Sequence, residues 1–175
     1  MNIPTKIITH TAVSAKHHTA QDVNNWHLDR WNGYSPSRRP EAPYAGYHYI
    51  IEWDGNTVQC RDHDEEGIHC RGQNFSSIGV CFMGNGDLHY PSKEQEEAWI
   101  ILYDKITEEE PQCLATYPHR KYSPKSCHGS LLSDTYFSAL VNSAAVTRQL
   151  QMTYIETLKA LINKLQSLLL LRRMK

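Results

Sequence analysis

The most informative stretch of this chain for its fold and chemistry is His119-Arg120-Lys121-Tyr122-Ser123-Pro124-Lys125-Ser126-Cys127. Neutral imidazole nitrogen and thiolate sulfur are preferred ligands of zinc, so this stretch offers two ligands with a lysine between them. Their separation suits a loop that folds back on a metal ion. Even an open catalytic zinc site needs three protein ligands, and the third must therefore come from another segment.

A strand end supplies the best candidate for that third ligand. Residues 6–10 predict a short apolar strand that ends in His10. A histidine at a strand end sits on a rigid support, which a metal site requires. Residues 46–55 predict another strand, closed by an Asp-Gly turn. Because strand side chains alternate, Tyr47 and His48 face opposite sides of the sheet, and only one of them faces a given site.

Five ordered segments of the chain resemble one known family. They are Ile7-Ile8-Thr9-His10, then Gly46-Tyr47-His48-Tyr49-Ile50-Ile51 with Asp54-Gly55, then Gly67-Ile68-His69 with Gly72-Gln73-Asn74, then Ser77-Ile78-Gly79-Val80-Cys81, and finally His119 to Cys127. The chain resembles the zinc-dependent N-acetylmuramoyl-L-alanine amidases, the type-2 amidases that share their fold with peptidoglycan recognition proteins. It is most similar to the small phage lysozymes that are amidases. Five motifs in the right order, across about residues 5–138, are far more specific than any one alone.

The resemblance implies a metal site and two catalytic side chains. It assigns Zn²⁺ to His10, His119 and Cys127, and it places Tyr47 and Lys125 beside the reacting amide. Zinc at such a site acidifies a water molecule and polarises the substrate carbonyl. A cation or a phenol O–H can then stabilise the charge that develops on the carbonyl oxygen. No carboxylate stands out in the sequence as the base.

Three further residues are candidates for substrate contact: His69, Asn74 and His128. The family usually continues with a proline after the ligand cysteine, where this chain has His128. The imidazole of His128 could compete for zinc, contact the substrate, or have no role in the site. For His69, a contact with the substrate or the ligands competes with plain loop polarity. We interpret His48 as structural and assign His17, His18, His27, His63 and His89 to the surface.

The function that the resemblance implies is hydrolysis of the amide between the lactyl group of N-acetylmuramic acid and L-Ala in peptidoglycan. The residues alone indicate only zinc-assisted amide hydrolysis. A non-catalytic peptidoglycan-binding receptor is the alternative, because a shared fold does not determine function. The complete ligand set with Tyr47 and Lys125 favours the enzyme, since a receptor does not require an open metal site.

Length and composition are typical of a single domain. The chain has 175 residues, 40% of them hydrophobic, and a net charge of −1, which gives no case for nucleic-acid binding. Five scattered cysteines do not predict a disulfide framework, and the N-terminus has no apolar signal-peptide core. The resemblance implies a phage endolysin that waits in the host cytoplasm until a pore-forming lysis partner opens the membrane, and an N-terminus without a signal peptide is consistent with that expectation.

The expected architecture is a central mixed β-sheet flanked by helices. Capping boxes at Thr19–Asp22 and Ser92–Gln95 predict two helix starts. Strands are expected near 47–53, 57–61, 76–83 and 114–117. The last of these delivers His119. Strands that alternate with helices favour such an α/β fold, a sheet with helices packed on it.

The C-terminal region departs from this plan, and we expect a catalytic domain over 1–142 and a separate helix over 143–175. From about Val146 to Lys175 there is no glycine or proline, and Ile155, Leu158, Ile162, Leu165 and Leu169 recur at heptad-like spacing. This stripe favours packing or self-association. The excess of Lys and Arg is instead typical of a helix on an anionic membrane surface. The apolar run Leu168–Leu171 is too short to span a bilayer.

Overall fold

A five-stranded mixed sheet forms the centre of the protein, as expected from the sequence. The computed structural model describes residues 1–33 and 35–173, with backbone only for 168–173. The strands are β1 (Ile7–Thr11), β2 (Tyr49–Ile51), β3 (Thr57–Gln59), β4 (Ile78–Phe82) and β5 (Thr116–Pro118). The helices are α1 (Ala20–Trp31), α2 (Lys93–Glu109) and α3 (Tyr136–Arg173), and a 3₁₀ turn covers His119–Lys121.

The strand order is β3-β2-β4-β1-β5, and only the β2–β3 pair is antiparallel. Strand β1 therefore lies between two parallel partners, β4 and β5. Residues paired in register point to the same face, so Ile50, Cys81 and His10 form one row across three strands. The carboxyl ends of β1 and β5 meet at one edge of the sheet, where ligands bind in open α/β sheets.

Both predicted capping boxes are present. At α1 the Asp22 carboxylate accepts the backbone N–H of Thr19 at 2.7 Å and the Thr19 hydroxyl at 3.0 Å. At α2 the Ser92 hydroxyl oxygen accepts the Gln95 N–H at 3.1 Å, and the Gln95 side chain accepts the Ser92 N–H at 3.2 Å. Helix starts are set by such local contacts, which explains why the sequence predicts them.

The two faces of the sheet bury different side chains. On one face Phe82 stacks on Phe137 with ring centroids 4.1 Å apart, and the Trp99 indole N–H donates to the Phe137 carbonyl at 2.9 Å. On the other face Ala20 and Val23 of α1 pack with Ile50, Cys81 and Met83. The face with α1 is the one that carries His10, and the metal-ligand candidates therefore lie on this side.

Several strands differ from their predicted bounds by up to two residues at an end, and for β2 and one helix contacts in the structure explain the difference. Strand β2 begins at Tyr49, because the chain before it turns away and the Gly46 carbonyl accepts the N–H of Ile68 at 2.8 Å. Helix α3 begins at Tyr136, about ten residues before the start that the stripe indicates, because Phe137 in its first turn is buried in the core.

The chain divides into two compact units, Met1–Leu140 and Val141–Lys175. In the second unit α3 continues as a helix to Arg173, and its described side chains are mostly exposed. The predicted stripe residue Leu169, the apolar run Leu168–Leu171 and the charges of Arg172, Arg173 and Lys175 lie outside the described side chains. Among described residues, no helix has both the length and the hydropathy that a bilayer span requires.

His63 corrects one sequence-based prediction. We assigned it to the surface, but only 9% of the residue is exposed, and its ring nitrogen lies 2.8 Å from the Tyr49 hydroxyl. The neighbouring Arg61 is also buried, with 1% exposed. Its guanidinium donates to three carbonyls, those of Ala45 at 2.9 Å, Ser35 at 2.9 Å and Glu66 at 3.2 Å. Arg61 thus ties the loop before β2 to the loop that leads to His69.

Replacing Arg61 by Met tests this link. The variant removes the donor from three carbonyls, of which that of Ala45 is buried, and it leaves the space of a buried guanidinium to an apolar side chain. We expect the free energy of unfolding to fall by about 3 kcal/mol in urea titrations. The exposed Arg71→Met is the matched control, with an expected change below about 0.5 kcal/mol. Equal stability of the two variants would contradict the structural role of Arg61.

Candidate active site

The strand ends bring the first two ligand candidates together. His10 is the fourth residue of β1 and is 1% exposed, and His119 follows β5 directly. Their ring centroids are 4.5 Å apart. Burial, reinforced by the neighbouring His69 and His119 rings, lowers the pKa of His10 well below its usual value. His10 is therefore neutral at physiological pH, which is the form that binds a metal.

Cys127 completes the cluster. Its Sγ lies 3.7 Å from His10 Nδ1, and one ligand atom from each of His10, His119 and Cys127 fits within a mutual distance of 4.8 Å. Tetrahedral zinc with ordinary Zn–N and Zn–S bonds separates a nitrogen and a sulfur ligand by about 3.5 Å. The donor types and their spacing therefore fit zinc. The structure brings together the three residues that the resemblance assigned to the metal.

The loop that carries Cys127 is anchored at several points. The Arg120 N–H donates to the Cys127 carbonyl at 2.5 Å, and the Arg120 guanidinium donates to the carbonyls of Gly129 and Leu132, each at 2.6 Å. On the opposite side the Asp87 carboxylate accepts the Ser126 hydroxyl and the Ser130 N–H, at 3.0 and 2.6 Å. These hydrogen bonds lower the pKa of Asp87 and fix the loop on both sides of the thiol.

His128 is turned away from the cleft. It is 1% exposed, its Nδ1 lies 2.7 Å from the Thr9 hydroxyl, and its Nε2 lies 3.1 Å from the Ser133 carbonyl. Its ring packs edge-on against Phe137. With both nitrogens engaged in the interior, the ring is placed as a structural group. Of the three roles left open for His128, this position favours neither zinc binding nor substrate contact.

Tyr47 and Lys125 both line the cleft that contains the cluster. The Tyr47 ring is half-buried, with its centroid 5.1 Å from that of His10. Burial raises the pKa of the Tyr47 phenol well above its usual value, so the group stays protonated and can donate. Lys125 is exposed at the cleft, and its charge partly opposes the burial that raises the pKa of Cys127 to about 11.

His69 and Asn74 lie on the loop before β4. The Asn74 side-chain oxygen accepts the backbone N–H groups of His69 and Cys70, at 3.0 and 2.7 Å, and so shapes this loop. His69 Nδ1 lies 3.0 Å from His10 Nε2. Both residues line the cleft, but the imidazole of His69 contacts a ligand candidate directly.

These groups line an open cleft of about 760 Å³, and its wall includes residues that the sequence analysis did not assign to the site.

His27 is one of these residues, and its assignment to the surface is wrong. It accepts the Gly46 N–H at 2.9 Å, its ring lies 4.2 Å from that of Trp31, and burial lowers its pKa to about 4. The signal was present in the spacing of Val23, His27 and Trp31, which puts all three on one face of α1. Arg30 and Arg71 add positive charge to the wall.

Fold and site together define a mixed-sheet domain with a His–His–Cys cluster at adjacent strand ends. A solved structure of the same fold is the N-acetylmuramoyl-L-alanine amidase LysC from Clostridium intestinale URNW, with a TM-score of 0.67 at 20% identity. The alignment covers 82% of this chain and 87% of LysC. This likeness establishes the fold.

The sequence pattern of the N-acetylmuramoyl-L-alanine amidase family, Amidase_2, matches residues 2–130, and the chain belongs to that family. It is 48% identical over 89 residues to the endolysin of Klebsiella phage KP32, a match that covers 47% of this chain and 58% of the endolysin. It is 30% identical over 134 residues to peptidoglycan-recognition protein SD of Drosophila simulans, covering 74% of this chain and 69% of that protein. The resemblance inferred from the ordered motifs is confirmed.

Replacing Asp87 by Ala tests the anchoring of the Cys127 loop. The Ser130 amide loses its acceptor, and we expect its hydrogen exchange to accelerate about 10-fold, the equivalent of one lost hydrogen bond. Exchange of the Val80 amide in the central strand serves as the internal control and should not change. An unaltered Ser130 exchange rate would show that Asp87 does not hold this loop.

Proposed function

We propose that this protein is a zinc-dependent N-acetylmuramoyl-L-alanine amidase that cleaves peptidoglycan between the lactyl group and L-Ala. The observation that carries the proposal is the cluster of His10, His119 and Cys127 beside the cleft, in a chain of the amidase family. Three ligands leave a fourth coordination position open for chemistry, whereas structural zinc sites are closed by four protein ligands.

The protein groups have distinct roles in this proposal. When bound, zinc supplies Lewis acidity to the scissile carbonyl and acidifies the attacking water. Tyr47, kept protonated by burial, donates a hydrogen bond to the reacting amide. The exposed ammonium of Lys125 stabilises the negative charge that develops on the carbonyl oxygen. Burial holds His10 in the neutral form, so its free lone pair would be available to the metal.

The wall of the cleft suits an acidic, peptide-bearing substrate. Arg30 and Arg71 offer positive charge to stem-peptide carboxylates, and Trp31 offers an apolar surface. Asn74 shapes this wall through the loop it holds, and His69 contributes through His10.

In the biological setting that we propose, residues 1–142 are the catalytic domain of a phage endolysin and residues 143–175 form an accessory helix. The phage endolysins among its relatives favour synthesis in the host cytoplasm and action on the cell wall. Access to the wall then requires a separate pore-forming lysis partner.

A non-catalytic peptidoglycan receptor is the second candidate, because recognition proteins are also among the relatives. The two functions make different demands on the site. Binding alone requires the cleft, whereas hydrolysis also requires the complete ligand cluster with its open coordination position.

Digestion of purified peptidoglycan, analysed by product mass, separates these functions. We expect free stem peptides and intact glycan strands, with activity lost on chelation and restored by Zn²⁺. Cys127→Ser should lower turnover at least about 100-fold, because catalysis by the metal is worth several kcal/mol, while wall binding persists. Cys113→Ser, at a buried cysteine outside the cleft, is the matched control and should retain turnover.

Two results would contradict the proposal in different ways. Wall binding without any product would support the receptor. Cleaved glycan strands or cross-bridges would show that the protein is a peptidoglycan hydrolase but that it does not cleave the lactyl–L-Ala amide.

A further inference from the structure

The His69 imidazole occupies a space that two glycines leave open. A Cβ atom at Gly79 would lie 2.5 Å from His69 Cγ, and one at Gly67 would lie 2.5 Å from His69 Cδ2. Gly79 is inside the buried strand β4, where a glycine weakens the strand and often marks a close approach of another group. The backbone around His69 is therefore built to admit this ring beside His10.

A chain of hydrogen bonds sets the orientation of both imidazoles. The Ser77 hydroxyl donates to the Gln73 carbonyl at 2.7 Å, so its oxygen is left to accept a proton from His69 Nε2, 3.5 Å away. His69 Nδ1 is then the unprotonated nitrogen, because a neutral imidazole carries one N–H. His10 Nε2, 3.0 Å from His69 Nδ1, must donate to it.

The consequence falls on the other nitrogen of His10. With the proton on Nε2, Nδ1 carries the free lone pair, and Nδ1 is the atom that lies 3.7 Å from Cys127 Sγ. We propose that His69 is a positioning residue that selects this tautomer of His10 and aims Nδ1 at the metal. This inference rests on the proposed zinc site. Partners that orient a metal-bound histidine in this way are worth about 10–100-fold in metal affinity.

Zinc affinity, measured by competition with a chelating dye, tests the role without reference to turnover. His69→Leu removes the acceptor, and we expect Zn²⁺ to bind about 10–100-fold more weakly. His69→Asn keeps an acceptor oxygen near the position of Nδ1 and should recover part of the loss. His63→Leu makes the same change at a buried histidine that contacts Tyr49, and it should leave zinc affinity unaltered.

The outcomes separate this inference from the proposed function. If the wild-type chain does not bind zinc, the proposed function fails. If it binds zinc and His69→Leu binds equally well, the positioning role fails. Nitrogen-15 NMR of the metal-free wild-type protein gives a second test that needs no variant. It should find the proton of His10 on Nε2, and a proton on Nδ1 would overturn the inference.

The second unit of the chain carries an independent inference, which begins from its charge. From Val141 onward there are six lysines and arginines against one carboxylate, Glu156, although the whole chain has a net charge of −1. The described part of this helix also exposes large apolar side chains, between 39% and 66% of each. They include Leu150, Tyr154, Leu158, Leu161, Ile162 and Leu165. At helical spacing these six share one face.

The pattern around the Ile155–Leu158–Ile162–Leu165 stripe does not match a pair of identical helices. In a coiled coil the positions beside the stripe carry opposite charges that pair between chains. Here those positions hold Tyr154 and Leu161 on one side and Lys159 and Gln166 on the other. Lys159 would therefore find no carboxylate at the flanking positions of an identical partner helix. A broad apolar face bordered by cations instead complements an anionic lipid surface. We infer that this helix binds membranes rich in anionic phospholipid.

Co-sedimentation of the full chain with lipid vesicles tests this inference. We expect binding to phosphatidylglycerol–phosphatidylethanolamine vesicles, weakened by salt, and little binding to phosphatidylcholine. Lys159→Glu with Lys164→Glu should reduce binding at least about 10-fold, since each basic residue near such a surface contributes about 1 kcal/mol. Leu158→Glu with Leu161→Glu should abolish it.

Lys93→Glu is the charge control, because Lys93 is an exposed residue of α2 outside this helix. It should leave vesicle binding nearly unchanged. Equal binding to anionic and zwitterionic vesicles would overturn the inference. A second result would also overturn it. The wild-type chain would form a dimer in sedimentation velocity and bind no vesicles, and the dimer would be lost in Leu158→Glu with Leu161→Glu.

Discussion

The parallel pairing of β1 with β4 on one side and β5 on the other is the constraint on which the rest of the structure depends. It places the carboxyl ends of β1 and β5 at one sheet edge, so that His10 and His119 meet although 108 residues separate them. The same register puts Gly79 of β4 beside Ile8, which opens the space for His69. The pairing of these three strands thus positions the ligand candidates His10 and His119, and also His69, which contacts His10.

Burial gives these groups their chemical character. It keeps the imidazole of His10 neutral and the phenol of Tyr47 protonated, as a ligand and a hydrogen-bond donor respectively require. For Cys127 burial opposes the form that binds a metal, because it favours the neutral thiol and raises its pKa to about 11. A bound metal would instead stabilise the thiolate. The loop must therefore hold the sulfur in place before a metal binds, and the hydrogen bonds of Arg120 and Asp87 to residues on either side of Cys127 in the chain provide that support.

The sequence predicts those features that local rules or ordered motifs control. Both capping boxes involve residues three apart, and both are present. The mixed sheet and the convergence of His10, His119 and Cys127 followed from the motifs. Contacts between distant segments were out of reach, including the carbonyls of Ala45 and Ser35 that Arg61 binds. For His69 a ligand contact was one of two open alternatives, and the structure shows that it lies against His10. The burial of His63 and His128 was missed for the same reason, because a polar ring is buried only when partners elsewhere in the chain satisfy it.

X-ray absorption at the zinc edge, on protein loaded with one equivalent of Zn²⁺, tests the central claim most directly. The account predicts a single sulfur neighbour at about 2.3 Å with nitrogen or oxygen neighbours at about 2.0–2.1 Å. The sulfur contribution should disappear in Cys127→Ser and persist in Cys113→Ser. Zinc that binds without any sulfur neighbour, or that keeps its sulfur in Cys127→Ser, would contradict the site described above.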